Sequence, residues 1–246
     1  MVRRPRHMKR ILVTILIFSA SALAFGQNQV GAPDPWLLGV DTAQQFLQEV
    51  SVDRFEREGF WRGHISSDSG FITTRLFRGR PAGVQPIPAE EGFNIPNDYV
   101  LGARVDFIRR GHSSFTITAA RPIPVEGITR LVSVWVVGRN TSHNLYLMIE
   151  DFFGRPFELH MGRLNFQGWQ QLVVPIPPQA EDGFRGIVQR NFRYTSDMGI
   201  RIRGFRIVAD PWESFGSHYI YFDELRAVTD LFADHHRDPD DMVDGW

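Results

Sequence analysis

Residues 219–228 read YIYFDELRAV. Tyr219 and Tyr221 alternate with Ile220 and Phe222, the period-2 pattern of a strand with one apolar face. Two adjacent acids, Asp223 and Glu224, interrupt it before Leu225 and the branched end. Successive strand residues face opposite ways, so alternation predicts one acid turned inward and the other outward. If 219–228 is a strand, the runs around it must be its partners. Leu101, Ala103, Val105 and Phe107 alternate with polar or small residues, as do Phe115, Ile117 and Ala119. LVSVWVV (131–137) is apolar at nearly every position, as in a strand covered on both faces. Leu145, Leu147 and Ile149, then Phe157, Leu159 and Met161, repeat the pattern on either side of Gly154-Arg155. WQQLVVPIP (169–177) and RIRGFRIV (201–208) complete the set. Turn residues separate these runs with no amphipathic helix between them. The expectation is an all-β fold, an antiparallel β-sandwich of jelly-roll type.

The ends differ from this middle. Residues 1–24 join a basic start, an apolar run of about 15 residues and Ala22-Leu23-Ala24, the grammar of a secretory signal peptide. Cleavage is expected after Ala24, or after Gly26, and Met8 offers an alternative start. The apolar run is shorter than the ~20 residues of a membrane span. With no cysteine there is no lipidated anchor and no disulfide, so burial and backbone pairing hold the fold. Within the next segment, 25–51, DTAQQFLQEV (41–50) reads as a short helix. Asp41 can cap it, and Ala43, Phe46, Leu47 and Val50 recur at helical spacing. The sandwich is then expected over 52–229, followed by an acidic tail at 230–246. GRPAGVQPIPAEEGFNIPND (79–98) reads as a long surface loop, and 181–199 as an Arg-rich excursion.

Charge and composition close several function classes. Five of the 27 basic residues and none of the 28 acids lie in 1–24, so the remainder has 22 against 28, net −6. Six Asp and one Arg from residue 230 onward account for −5 of that. A nearly neutral body with an acidic tail is not a nucleic-acid binder, which needs a basic surface. Lys9 is the sole lysine. Schiff-base and phosphate-loop lysines are therefore absent from the mature chain, and thiol catalysis from all of it. No GxSxG, HExxH, phosphate loop or dinucleotide fingerprint occurs. Glu150-Asp151 and Asp223-Glu224 are the acid pairs on core strands, and a glycosidase would need two carboxylates facing one cleft. Alternation leaves each pair with one outward acid. The chain is not expected to be an enzyme. Asp53, Glu56 and Asp223 could meet if the first and last strands are neighbours, and their oxygens would suit a structural calcium. No other cofactor is expected. His235-His236 would at most bind a metal weakly. Trp135, Tyr146, Tyr219 and Tyr221 would form a sugar-stacking platform if they shared a face.

Longer segments carry a resemblance. ISSDSGFITTRLFRG (65–79), residues 138–172, GFRIVADP (204–211), YIYFDELRAVTDLF (219–232) and the closing RDPDDMVDGW (237–246) resemble the flagellar filament outer layer proteins of spirochaetes, the FlaA family. The resemblance runs from about Val52 to Trp246. It implies an exported structural subunit of the periplasmic flagellum, part of a sheath over the flagellin core that influences filament shape, stiffness and motility. It implies no catalysis and no cofactor. Partners would be core flagellins and neighbouring sheath subunits in a homo- or hetero-polymeric helical layer, with no membrane anchor. A broader likeness, carried by DRFE (53–56), FW (60–61), GW (168–169) and YFDELR (221–226), is to carbohydrate-binding jelly rolls, some of which hold a calcium between first and last strands. It leaves a secreted carbohydrate-binding module or glycosidase accessory protein as the alternative function. For assembly, head-to-tail contacts need complementary features on different faces. Arg185, Arg190 and Arg193 of the excursion are expected to pair with Asp238, Asp240, Asp241 and Asp244 of a neighbour's tail, with Met242 and Trp246 as apolar anchors.

Overall fold

The structure is a computed structural model of the full chain, and it describes residues 46–178, 186–190 and 199–231. Among the described residues, eleven strands form two antiparallel sheets. They are β1 (Leu47–Asp53), β2 (Trp61–Ile65), β3 (Gly70–Arg78), β4 (Tyr99–Phe107), β5 (Ser113–Val125), β6 (Ile128–Arg139), β7 (Asn144–Glu150), β8 (Pro156–Arg163), β9 (Gln167–Pro175), β10 (Ile200–Ala209) and β11 (Gly216–Asp230). The first sheet runs β3-β4-β11-β6-β9 with β1 also on β11, and the second runs β2-β5-β10-β7-β8. Each paired ladder is antiparallel; β7 and β8 are joined by a short turn at Gly154, and the other ladders join strands that are distant in the chain or linked by the 79–98 loop.

Alternation decides what lies between the sheets. Leu101, Ala103, Val105, Val132, Val134, Val136, Ile220 and Phe222 face inward from the first sheet. Phe115, Ile117, Leu145, Leu147, Ile149, Phe205 and Ile207 face them from the second. Aromatic rings join the layers: Phe205 stacks on Phe222 at 4.7 Å and 17°, and Trp61 stacks on Phe205 at 5.9 Å. Phe55, just after β1, fits beside Trp61 at 5.0 Å. Such pairs add about 0.5–1.5 kcal/mol each beyond the area they bury.

The helix expected over 41–50 is not formed where the structure describes it. Residues 41–45 lie outside the described part, and Leu47–Val50 belong to β1. The reason is non-local. β4 pairs with β11 only as far as Phe222, leaving the same edge of 225–230 open. β1 fills it, with Leu47 opposite Asp230 and Asp53 opposite Leu225. A sheet edge in need of a partner outweighs a helix propensity of a few tenths of a kcal/mol per residue. Val50 and Val52 then pack on the core. The sandwich therefore starts within the expected 25–51 segment and runs through Asp230. Among the described residues no helix is long and apolar enough to cross a membrane. The expected signal peptide lies outside them.

Candidate functional surface and the buried acid pair

β11 adjoins β4 and β1 on one side and β6 on the other, so its outward side chains mark the middle of the first sheet. Alternation holds up to Phe222 and fails there. Asp223 pairs with Trp135 and Arg226 with Ser133, so three steps along β11 match two along β6. This is a β-bulge, and Glu224 takes the left-handed backbone with φ 49°. Phe222 and Leu225 both stay in the core, and the extra residue places Asp223 and Glu224 side by side on the other face. The expectation that one acid faces solvent is corrected. Both are buried, at 0% and 2% exposure.

The 79–98 loop covers them. It folds over the outer face of the first sheet with a 3-10 turn at Pro88–Glu90, and buries its own Val84 and Ile87. Glu224 accepts from Arg226 Nε at 2.9 Å and from Asn97 Nδ2, and Arg54 lies 3.8 Å away. Arg226 donates to the Gln85 carbonyl at 2.8 Å and reaches Glu49 at 3.4 Å. Arg54 also pairs with Glu90 of the loop. Glu224 is thus the centre of a charged clasp between loop and sheet. Asp223 is less well served. Its Oδ1 accepts from the Glu224 amide at 2.8 Å, and its Oδ2 is buried without a partner among the described residues. Burial pushes its pKa up to about 7. The Glu224 and Glu56 charges add to the rise, and the Glu224 amide and Arg80 oppose it.

The first and last strands are neighbours, as the calcium expectation required, but Asp53 is occupied otherwise. Its Oδ1 accepts from the Phe55 amide at 2.6 Å and its Oδ2 from Arg57 at 3.0 Å. Glu56 Oε1 accepts from the Asp98 and Tyr99 amides at 2.7 and 2.8 Å. Among the described residues no three Asp, Glu or His side chains are grouped to hold a metal. Asp53, Glu56 and Asp223 are therefore not gathered round one point.

The second acid pair has one outward and one buried member, as alternation requires. Glu150 faces outward and bonds Arg203 at 2.9 Å. Asp151 is buried and organises the Gly154 turn, accepting from the Phe153 and Arg155 amides and from Arg155 Nε at 2.7 Å. Glu150 lies on the outer face of the second sheet and Glu224 on that of the first, so the core separates them. Of the rings considered as a platform, Trp135, Tyr219 and Tyr221 share the outer face of the first sheet. Tyr146 is on the second sheet, 5.0 Å from His160. Of the expected assembly residues, Arg190 is described and exposed. Arg185, Arg193, Asp238, Asp240, Asp241, Met242, Asp244 and Trp246 lie outside the described residues.

Two features were not anticipated. The first is a buried imidazole pair: His143 and His218 rings lie 4.6 Å apart beside Phe107 and Phe115. His143 Nδ1 accepts from the Asp210 amide at 3.1 Å, so this ring is neutral with its proton on Nε2. Burial, reinforced by His143 and Arg139, drives the His218 pKa down to about 3, and burial lowers that of His143 as well. The second is a groove of about 430 Å³ on the uncovered half of the outer face, where β3, β4 and β11 meet. Phe77 and Tyr221 meet edge to face at 5.5 Å across Gly102, where a Cβ would fall 2.5 Å from the Phe77 ring. Arg104 lies over Tyr219 and is held by Asp106 at 2.9 Å, while Arg139 lies 5.7 Å from the Tyr221 ring centre. Arg75 lines the groove and makes no ion pair among the described residues. Tyr219 and Tyr221 were visible in the sequence, but their neighbours on β3 and β4 lie more than a hundred residues away, and Arg139 about eighty.

The chain is thus an antiparallel sandwich whose first sheet carries, on its outer face, a loop-covered acid pair and an exposed basic-aromatic groove. Comparison with known proteins supplies the family. The family model described as flagellar filament outer layer protein FlaA matches residues 29–237, and the chain belongs to this family. A flagellar filament outer layer-like protein of Brachyspira hyodysenteriae is 35% identical over 208 residues, covering 85% of this chain and 91% of that protein. A flagellar filament outer layer protein of Spirochaeta aurantia is 29% identical over 117 residues, 47% of this chain and only 35% of that longer protein. Among solved structures, the family 11 carbohydrate-binding module of a Clostridium thermocellum cellulase aligns over 74% of this chain and 94% of its own, at 10% identity and a TM-score of 0.40.

Proposed function

We propose that this chain is a structural subunit of the outer layer of a periplasmic flagellar filament, exported by its first 24 residues and laid over the flagellin core. The observation that carries the proposal is the reach of the family match, residues 29–237, which takes in the described sandwich from β1 to β11. The architecture suits the task. The two layers are locked by ring stacking, and the acids that could have marked an active site are tied to arginines and backbone amides. Such a body acts as a stiff unit whose surfaces, rather than a pocket chemistry, do the work. Its contacts are with core flagellin and with neighbouring outer-layer subunits, and it performs no catalysis.

Deleting the gene and imaging isolated filaments by electron cryomicroscopy tests this directly. The expected result is a filament lacking part of its outer density, with altered curvature, restored by the wild-type gene. A filament of unchanged diameter and shape would overturn the proposal.

A further inference from the structure

We propose that the basic-aromatic groove on the outer face of the first sheet is the docking site for the acidic C-terminal segment of a second copy of this chain. The proposal rests on the outer-layer reading and gives it a lattice contact. Three observations carry it.

The first is charge. Arg75, Arg104 and Arg139 stand at the groove against the single carboxylate Asp106, which is already bonded to Arg104 and Ser217. Residues 232–246 contain five Asp and one Arg. Forked guanidiniums are the donors best matched to carboxylates. The second is the apolar component. Phe77 on the edge strand β3 and Tyr219 on the central β11 are 45% and 39% exposed, and Gly102 keeps the floor between Phe77 and Tyr221 open. Met242 and Trp246 supply the side chains such ring faces accept.

The third is position. The groove lies at the start of β11, on Tyr219 and Tyr221, and the acidic segment leaves from its far end beyond Asp230. Ten residues of strand separate the two by roughly 30 Å. Donor and acceptor at opposite ends of one strand make a head-to-tail contact, which propagates as an open polymer rather than closing a dimer. The fifteen residues beyond Leu231 can span roughly 50 Å when extended, enough to reach an adjoining subunit.

The test uses the full mature chain. Trp246 is replaced by photoreactive p-benzoylphenylalanine, and unlabelled and ¹⁵N-labelled copies are mixed, irradiated at low salt and mapped by mass spectrometry. Cross-links are expected between copies of different isotope, on 71–77, 102–106, 139 or 219–221. Sedimentation velocity is expected to show concentration-dependent association. R75E/R139E, both on the surface, should weaken it by about tenfold or more. Adding D240R/D241R should restore it. Cross-links within one copy, cross-links centred on 179–198, a monomer at all concentrations, or unchanged association of R75E/R139E would each overturn the proposal. The outer-layer reading fails separately, by absence of the chain from filaments.

Discussion

At the scale of single residues, the two buried ionisable sites push stability in opposite directions with pH. Asp223 has a folded pKa near 7, above its ordinary 3.8. Between those values the folded chain holds a proton that the unfolded chain has lost. Stability from this site is thus highest below about pH 4, falls as pH rises through 7 and is level above. Asp223→Asn keeps the Oδ1 acceptor for the Glu224 amide and removes the charge. It should raise stability at pH 8 by on the order of 2–4 kcal/mol and flatten the pH 4–7 slope, read by urea unfolding. His218 works the other way. Its folded pKa of about 3 lies below the ordinary 6.5, so its contribution is intact above 6.5 and lost as pH falls toward 3. His218→Phe should remove most of that acid-side loss while leaving stability at pH 8 within about 1 kcal/mol. Neither site was legible in the sequence. A bulge adds one residue and leaves the composition of YIYFDELRAV unchanged, so alternation assigned Glu224 to the wrong environment. His143 and His218 are 75 residues apart and meet only when β11 packs against the residue that leads into β7.

At the scale of elements, the strands whose apolar residues alternate cleanly were legible, from β4 to β11, because burial on one face writes itself into period 2. β1 was not. Its sequence satisfies a helical spacing and a strand alternation at once, and the vacancy beside 225–230 decides between them. The 79–98 loop was legible as a loop, but its role as a cover was not, since Pro81, Val84 and Ile87 alone carry the burial. The clasp beneath it is testable. Arg226→Met removes the partner of Glu224 at 2.9 Å and the bond to Gln85. Glu224 would keep Asn97 and the more distant Arg54 but lose its nearest cation, which should cost up to about 3–5 kcal/mol. The double variant Arg226→Met with Glu224→Gln should recover much of the loss, because the uncompensated charge rather than the missing bond carries most of the cost. β10 offers a backbone counterpart. Gly204 sits at a register shift with φ 147°, where a Cβ would lie 2.2 Å from the Ile117 carbonyl oxygen. Gly204→Ala should lower the melting temperature, with about 1–3 kcal/mol lost to strain alone.

At the scale of the whole molecule, the family was legible from long matched segments. The surface that assembly would use was not, because a face is built from strands that the chain visits far apart. β3 brings Arg75 and Phe77 to the tyrosines of β11 only through β4. The central claim is that this sandwich is a building block of a filament's outer layer. Its most direct test is to shear and pellet periplasmic flagella from the native host and quantify this chain against flagellin by mass spectrometry. The account predicts the mature chain in the pellet, beginning near residue 25, in amounts comparable to flagellin. Its confinement to the soluble periplasmic fraction would contradict the account.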